Sequence, residues 1–527
     1  VARIREALAS AGKGACSLHK GEREPPRVQC AWPRPGQVSN LPLPIEGQEG
    51  LTARTRDHFS RIIPLMTDTS TAKSIAASAI DARSEGLIAL SKDIWDHPEP
   101  GFREHRTAQV TADFMREIGL AARENIAITG VIARINTGRP GPHVAIMGEL
   151  DSLIVPEHRD ADSASGAVHV CGHNIQIGNM LAAAVGLSQP EVLATLSGSI
   201  SFMAVPAEEY IEIEFREGLR EAGELEFLAG KQEFIRLGEL DDVDISLLTH
   251  VETSELTALR PAVSLNGMIA KRVRFIGRSA HAGGSPELGI NALNAANLAM
   301  QGIHAQRETF KDDDHVRVHP ILTRGGAAVS SVPANVTMEM FVRAATVEAM
   351  EDAAAKVDRA LKAGAMAVGA TVEISTSPGY LPAKFHEGLG ELYDEVVTDL
   401  IGKSGVGRMP HRTSSTDMGD VSQIMPTIHP YVGGARGRNH SDDFDITDWD
   451  LDVIDAGKAM ANTTIELLGN GAVRGREIAD NFDAPLSISE YLAVVRGYQA
   501  TEKWSGSSPS LLGDRKGSGP QIPFSFS

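Results

Sequence analysis

The sequence predicts an α/β protein whose mostly parallel sheet, flanked by helices, is interrupted by a ferredoxin-like α+β insertion. Between residues 120 and 255, apolar runs alternate with helical patterns, the βαβ rhythm of a parallel sheet. Between about 264 and 376 the rhythm becomes β-α-β-β-α-β. Parallel-sheet features then return, which places the second unit inside the first.

Each element has its own signal. Residues 74–120 read as two helices separated by HPEPGFREHRT. HVAIMGELD, SISFMAVPAEE and DISLLTH are apolar runs of the kind buried on both faces of a parallel sheet, each ending in acids or histidine. IQIGNMLAAAVGL is a helix whose small residues suit close packing on that sheet. In the insertion, KRVRFIG is a strand and INALNAANLAMQGIHAQRE a helix. RVHPILTR and NVTMEMFVRA are strands, VEAMEDAAAKVDRALKAGA a helix and TVEIST a final strand. DMGDVSQIMPTIHPYVGG supplies a further strand and DWDLDVIDAGKAMANTTIELL a closing helix. The expected boundaries are 1–65 for an N-terminal extension without a fold of its own and 66–263 for the first part of the main domain. The insertion takes 264–380, the second part of the main domain 381–470, and a C-terminal extension 471–527, unstructured from about Ser505 where Gly, Ser and Pro dominate. Met66, ahead of an amphipathic helix, is the expected natural start.

Composition narrows the function. A net charge of −19 argues against nucleic acid as a partner, because phosphate binding needs clustered Lys and Arg. No apolar run is long enough to span a bilayer, so no membrane partner is expected. Three cysteines, Cys16, Cys30 and Cys171, make no disulfide framework, and the expected compartment is the cytoplasm.

The chemistry lies at the strand ends, where open α/β sheets bind ligands. Cys171 and His173 flank one glycine in HVCGHN; thiolate and imidazole are both good ligands for a metal such as zinc. The bland alternative for a lone cysteine is a small buried apolar residue. Glu208 and Glu209 are adjacent after Pro206, and in an extended chain their side chains diverge, so one can bind metal while the other faces substrate. His250 ends DISLLTH, and His440 in GRNHSDDF comes from the returning half of the main domain. Asp151 ends HVAIMGELD, where it can fix a ligand imidazole or simply face solvent. In NVTMEMFVRA the period of two puts Val336, Met338, Met340 and Val342 on the core face, and Thr337, Glu339, Phe341 and Arg343 on the other.

At these residues the chain resembles the metal-dependent amidohydrolase and peptidase family of aminoacylases, carboxypeptidase G-type enzymes and indole-acetyl-amino-acid hydrolases, and within it most of all the aminobenzoyl-glutamate hydrolase branch. HPEPGFREHRT, GELDSL, HVCGHN, PAEE, GRSAHAG, TDMGDVS and His440 fall in the family's order across residues 74–469. The resemblance implies a dinuclear-metal catalytic domain and a ferredoxin-like lid that also dimerises. It implies two divalent ions, Zn or Mn, bridged by Cys171 and held further by His173, Glu209, His250 and His440. It also implies Glu208 as general base and Arg343 as a grip on the substrate's carboxylate, where a surface ion pair with Glu339 is the alternative. His281, in GRSAHAGGSPELG, would act from the partner subunit of a homodimer to steady the oxyanion. Ser331 stands where the family places a substrate-touching asparagine, Ile154 where it places a proline, and Asn174 where it places an aspartate after CGH.

The expected reaction is hydrolysis of an amide in an N-acyl amino acid, a dipeptide or an aminobenzoyl-glutamate-like substrate. A zinc deaminase would need a paired Cys-x-x-Cys motif, which the chain lacks. A family member that has lost catalysis and only binds ligand or partners is the non-enzyme alternative, against which the complete set of ligands and base argues.

Overall fold

The computed structural model describes residues 69–253, 259–403 and 406–506. The expectations for 1–65, Met66, Cys16, Cys30 and the tail beyond 506 fall outside these residues. Strands β1 (Ala122–Ile126), β2 (Gly130–Asn136), β3 (His143–Glu149), β4 (Ser199–Val205), β5 (Ile245–Leu248) and β11 (Thr427–Ile428) form one sheet in the order β1-β2-β4-β3-β5-β11. β4, β3, β5 and β11 run parallel, while β1 and β2 are added antiparallel at one edge. All seven residues of β3 are buried, which is why the sequence shows an unbroken apolar run.

Helix α4 (His173–Leu187) packs on that sheet with every residue buried. Its small side chains allow the approach: a Cβ at Gly178 would lie 1.9 Å from Ser91 Oγ. Ahead of the sheet lie three helices where the sequence suggested two: α1 (Thr69–Asp81), α2 (Ser84–Trp95) and α3 (His105–Glu117). The first predicted helix is broken at Ala82 and Arg83, Arg83 leaving the helical region at φ −111° and ψ 3°.

DISLLTH does not simply end in His250. β5 stops at Leu248, and His250 opens β6 (His250–Thr253), which pairs in parallel with β12 (Pro430–Arg436) in a second, small sheet. DMGDVSQIMPTIHPYVGG accordingly yields two strands, β11 in the main sheet and β12 in the small one.

The insertion is a five-stranded antiparallel sheet, β8 (Arg317–Arg324), β9 (Asn335–Ala344), β7 (Gly267–Ile276), β10 (Thr371–Pro378) and β13 (Ala500–Ser505), in that order. Its first four strands have the ferredoxin-like arrangement, backed by α5 (Ala292–Ala305) and α6 (Val347–Val368). The alternation along β9 is as the sequence reads, with Val336, Met338, Met340 and Val342 buried. The fifth strand comes from the C-terminal segment. After the closing helix α7 (Ala456–Leu468), helices α8 (Val473–Asp480) and α9 (Ile488–Tyr498) lead into β13, which pairs with β10 over six residues.

Candidate metal centre

The loop between β3 and α4 sets the centre. Gly172 is left-handed (φ 78°), and a Cβ there would lie 2.2 Å from Val251 Cγ1, so only glycine lets Cys171 and His173 turn towards β6. Cys171 Sγ lies 3.2 Å from His250 Nε2 and 3.3 Å from His440 Nε2. His440 Nε2 is 3.2 Å from Glu209 Oε1, and the His440 backbone N–H donates to Val170 O at 2.9 Å, which fastens the late loop to the early one. Two sets of ligand atoms therefore share the thiol: Cys171 with His173 and His250, and Cys171 with Glu209 and His440. A third set joins Glu149, His173 and Glu208. His169, though buried, belongs to none of them.

Two of the imidazoles are aimed by their other nitrogen. His173 Nδ1 lies 3.0 Å from Asp151 Oδ1, which turns Nε2 inward to within 3.1 Å of Glu149 Oε2. His250 Nδ1 lies 2.7 Å from Val251 O, which turns its Nε2 to the thiol. His173 Nε2, Glu149 Oε2 and Glu209 Oε1 are buried without a hydrogen bond. Soft thiolate, imidazole and carboxylate with unsatisfied, converging atoms fit a divalent ion.

The adjacent glutamates part as their spacing predicts. Glu208 points towards His173, 3.9 Å away, while Glu209 points to His440. Their acidities part too. Burial, reinforced by Glu149 and Glu209, pushes Glu208 well above the usual carboxylate range. Burial works against Glu209 as well, but His440 holds it well below that range. Burial also opposes the Cys171 thiolate, yet His250, His440 and His173 bring the thiol down to about 6.

The turn bearing both glutamates is strained, with Ala207 at φ 53°. Buried side chains grip it: Glu104 accepts from Ala207 N–H at 2.8 Å, and Asp151 from Glu209 N–H at 2.9 Å. Arg216, 1% exposed, donates to the carbonyls of Ala207, Leu228 and Glu209.

A cavity of about 640 Å³ opens from the cluster towards the insertion, whose Arg317, His319, Phe341 and Arg343 form its far wall. Arg343 stands directly across from Arg317 on the neighbouring strand, while Glu339 stands across from Arg272. His281 and Ser331 lie elsewhere. They form an isolated bridge with each other on the insertion's exposed loops, and neither lines the cavity. The His281 ring accepts from Gly283 and Gly284 N–H at 3.1 and 2.9 Å.

Residues 263–367 match the family model of the peptidase dimerisation domain. An Xaa-Arg dipeptidase of Mus musculus is 28% identical over 378 residues, 70% of this chain and 81% of the relative. Over most of its length the chain is thus similar to metal-dependent peptidases and amidohydrolases. One of the p-aminobenzoyl-glutamate hydrolase polypeptides of Escherichia coli is 27% identical over 314 residues, 58% of this chain and 61% of the relative. A solved structure described as a dinuclear metal binding peptidase of the M20 family, from Bacillus subtilis, shares the fold. It is 20% identical at a TM-score of 0.55 over 74% of this chain and 99% of that one.

The sequence concealed several contributors to the centre. Lys231, fully buried, donates to Glu149 at 2.5 Å and to Asp417. In LAGKQEF it carries no motif, and only TDMGDVS hinted at its partner Asp417. His429, fully buried and stacked on His250 at 5.6 Å, read as part of a plain strand. Arg216 carries no motif in the sequence either. None of the described helices is long and apolar enough to cross a membrane.

Proposed function

We propose that the chain is a metal-dependent hydrolase that cleaves the amide bond of an N-acyl amino acid, a dipeptide or an aminobenzoyl-glutamate-like substrate. One observation carries the reading: two ligand sets share Cys171 beside a carboxylate, Glu208, whose pKa is raised and which neither of those two sets needs. Cys171 would be common to two divalent ions, Zn or Mn, with His173 and His250 on one and Glu209 and His440 on the other. When bound, such ions acidify a water molecule and polarise the scissile carbonyl.

The chain's own residues do the rest. Glu208 accepts a proton at its carboxylate and passes it to the leaving amine. Asp151 fixes both the His173 ring and the Glu209 backbone. Arg343, with Arg317 opposite, grips the substrate's free carboxylate; burial lowers the Arg343 pKa, as expected of a guanidinium waiting for an anion. Residues 66–263 and 381–470 serve as the catalytic domain and 264–380 as the lid. The lid joins two copies into a homodimer, a reading supported by the match to a dimerisation domain, and brings His281 and Ser331 to the partner's cavity. A reducing compartment such as the cytoplasm suits a site that needs Cys171 as a free thiolate.

The test is hydrolysis by the full chain, loaded with Zn or Mn, of a panel of acyl amino acids, dipeptides with neutral, acidic and basic C-terminal residues, and aminobenzoyl-glutamate. At least one class should be cleaved, activity should vanish on chelation, and it should return with metal. Metal-loaded protein that cleaves none of them overturns the reading in favour of a binding role.

A further inference from the structure

Two tyrosines cross in opposite directions between the turn that bears Glu208 and the segment by which the chain leaves the lid. Tyr380, two residues past the end of β10, donates its hydroxyl to the backbone carbonyl of Glu208. Tyr210, two residues past Glu208, donates its hydroxyl to the carbonyl of Pro378, the last residue of β10, at 2.8 Å. Their rings meet edge to face with centroids 5.7 Å apart, and Tyr210 meets Phe341 of the cavity's far wall in the same way at 5.9 Å. Both tyrosines are 3% exposed and share one apolar cluster with Met268 and Ala270, where the chain enters the lid. Met268 N–H donates to Tyr380 O at 2.7 Å, so the entering and leaving strands move together.

The turn itself shows what this contact adds. Its other grips, from Glu104, Arg216 and Asp151, all come from the catalytic part. The Glu208 carbonyl alone is held from the hinge. A buried carbonyl without a partner is costly, and this bond satisfies the Glu208 carbonyl in a turn already strained at Ala207. The peptide held by that bond joins Glu208 to Glu209, so a shift of it is felt by the backbone of both.

We infer that Tyr210 and Tyr380 form a reciprocal link through which the position of the lid sets the position of Glu208. Closure of the lid over substrate places the base, and an open lid leaves it misplaced. Tyr380 and Tyr210 are positioning residues, and the inference rests on the role proposed for Glu208.

Tyr380→Phe and Tyr210→Phe each remove one hydroxyl and keep the ring. In the metal-loaded full chain, each should lower kcat by about 10- to 100-fold, the usual cost of a base displaced by roughly 1 Å. KM and bound metal should be unchanged and the melting temperature should stay within about 4 °C. Because both act on one link, the double variant should be no slower than the slower single variant. Hydrogen exchange on the metal-free chain gives a readout independent of activity: either variant should speed exchange in residues 206–210 and in residues 376–381 alike. Wild-type kcat in both variants overturns the link, as does exchange that rises on only one side. An unaltered chain that cleaves no amide breaks the functional reading instead, and the exchange measurement still decides the link.

Discussion

The cluster at the sheet's end and the exposed pair on the lid differ in how complete they are. Cys171, His173, Glu209, His250 and His440 come from four separate stretches of chain, yet they converge within one chain with the rings of His173 and His250 already aimed. His281 and Ser331 also meet, but on an exposed surface with nothing of their own subunit to act on. A centre that must hold cations is built by the fold itself, at the cost of buried polar atoms left unsatisfied. Under the proposed function, His281 would be left on the surface for a second copy to use.

The largest expected effect separates the two glutamates within the cluster. Glu208→Gln should lower kcat by about 10²- to 10⁴-fold with both metals retained. Glu209→Gln should lose metal, measured by elemental analysis after dialysis. Near-full activity in the first with full metal in the second would reverse the roles. Next comes the lid pair: His281→Ala should cost about 10²- to 10³-fold in kcat. Mixing His281→Ala with Glu208→Gln subunits should restore activity, since a heterodimer contains one site with both residues intact. Exchange of subunits without recovery would return His281 to its own copy. Arg343→Ala should raise KM for carboxylate-bearing amides by about 10- to 100-fold and spare their esters; equal effects on both would leave the wall without a substrate role.

The smallest effect concerns Glu104, under the strained turn. Burial, with Asp151 beside it, raises its pKa from an ordinary 4.5 to about 7. Between those values the folded chain keeps a proton that the unfolded chain has released, so stability falls as pH rises, and the loss is complete above about 7. Denaturant midpoints of the metal-free chain across this range should fall with pH, and Glu104→Gln should flatten the fall. An unchanged slope in the variant would place the effect on another group.

What could be read from the sequence follows from burial and locality. β3 and β4 stood out because nearly every residue in them is buried, and β9 because its alternation is intact. Adjacency alone said that Glu208 and Glu209 diverge; only the approach of His440 shows which way each turns. The break between α1 and α2 is one turn of backbone in an otherwise helical pattern, and periodicity does not register it. The small sheet of β6 and β12 was hidden because each strand continues an apolar run of the main sheet. Arg216, Lys231, Tyr210 and Tyr380 were illegible for another reason: their partners lie far along the chain, and neither spacing nor composition marks a buried cation or a hydroxyl aimed at a carbonyl.

The strand β13 has a consequence for how the molecule is made. It lies in residues 500–505 but completes a sheet whose other strands end by residue 378. His440 and β12 likewise reach the cluster only after the whole insertion has been synthesised. A ribosome adding about 5–20 residues per second thus releases the lid's first four strands well before the strand that finishes their edge. During that interval the flank of β10 is an unpaired strand edge, open to any passing chain. A truncation that removes residues 500–505 therefore injures this sheet.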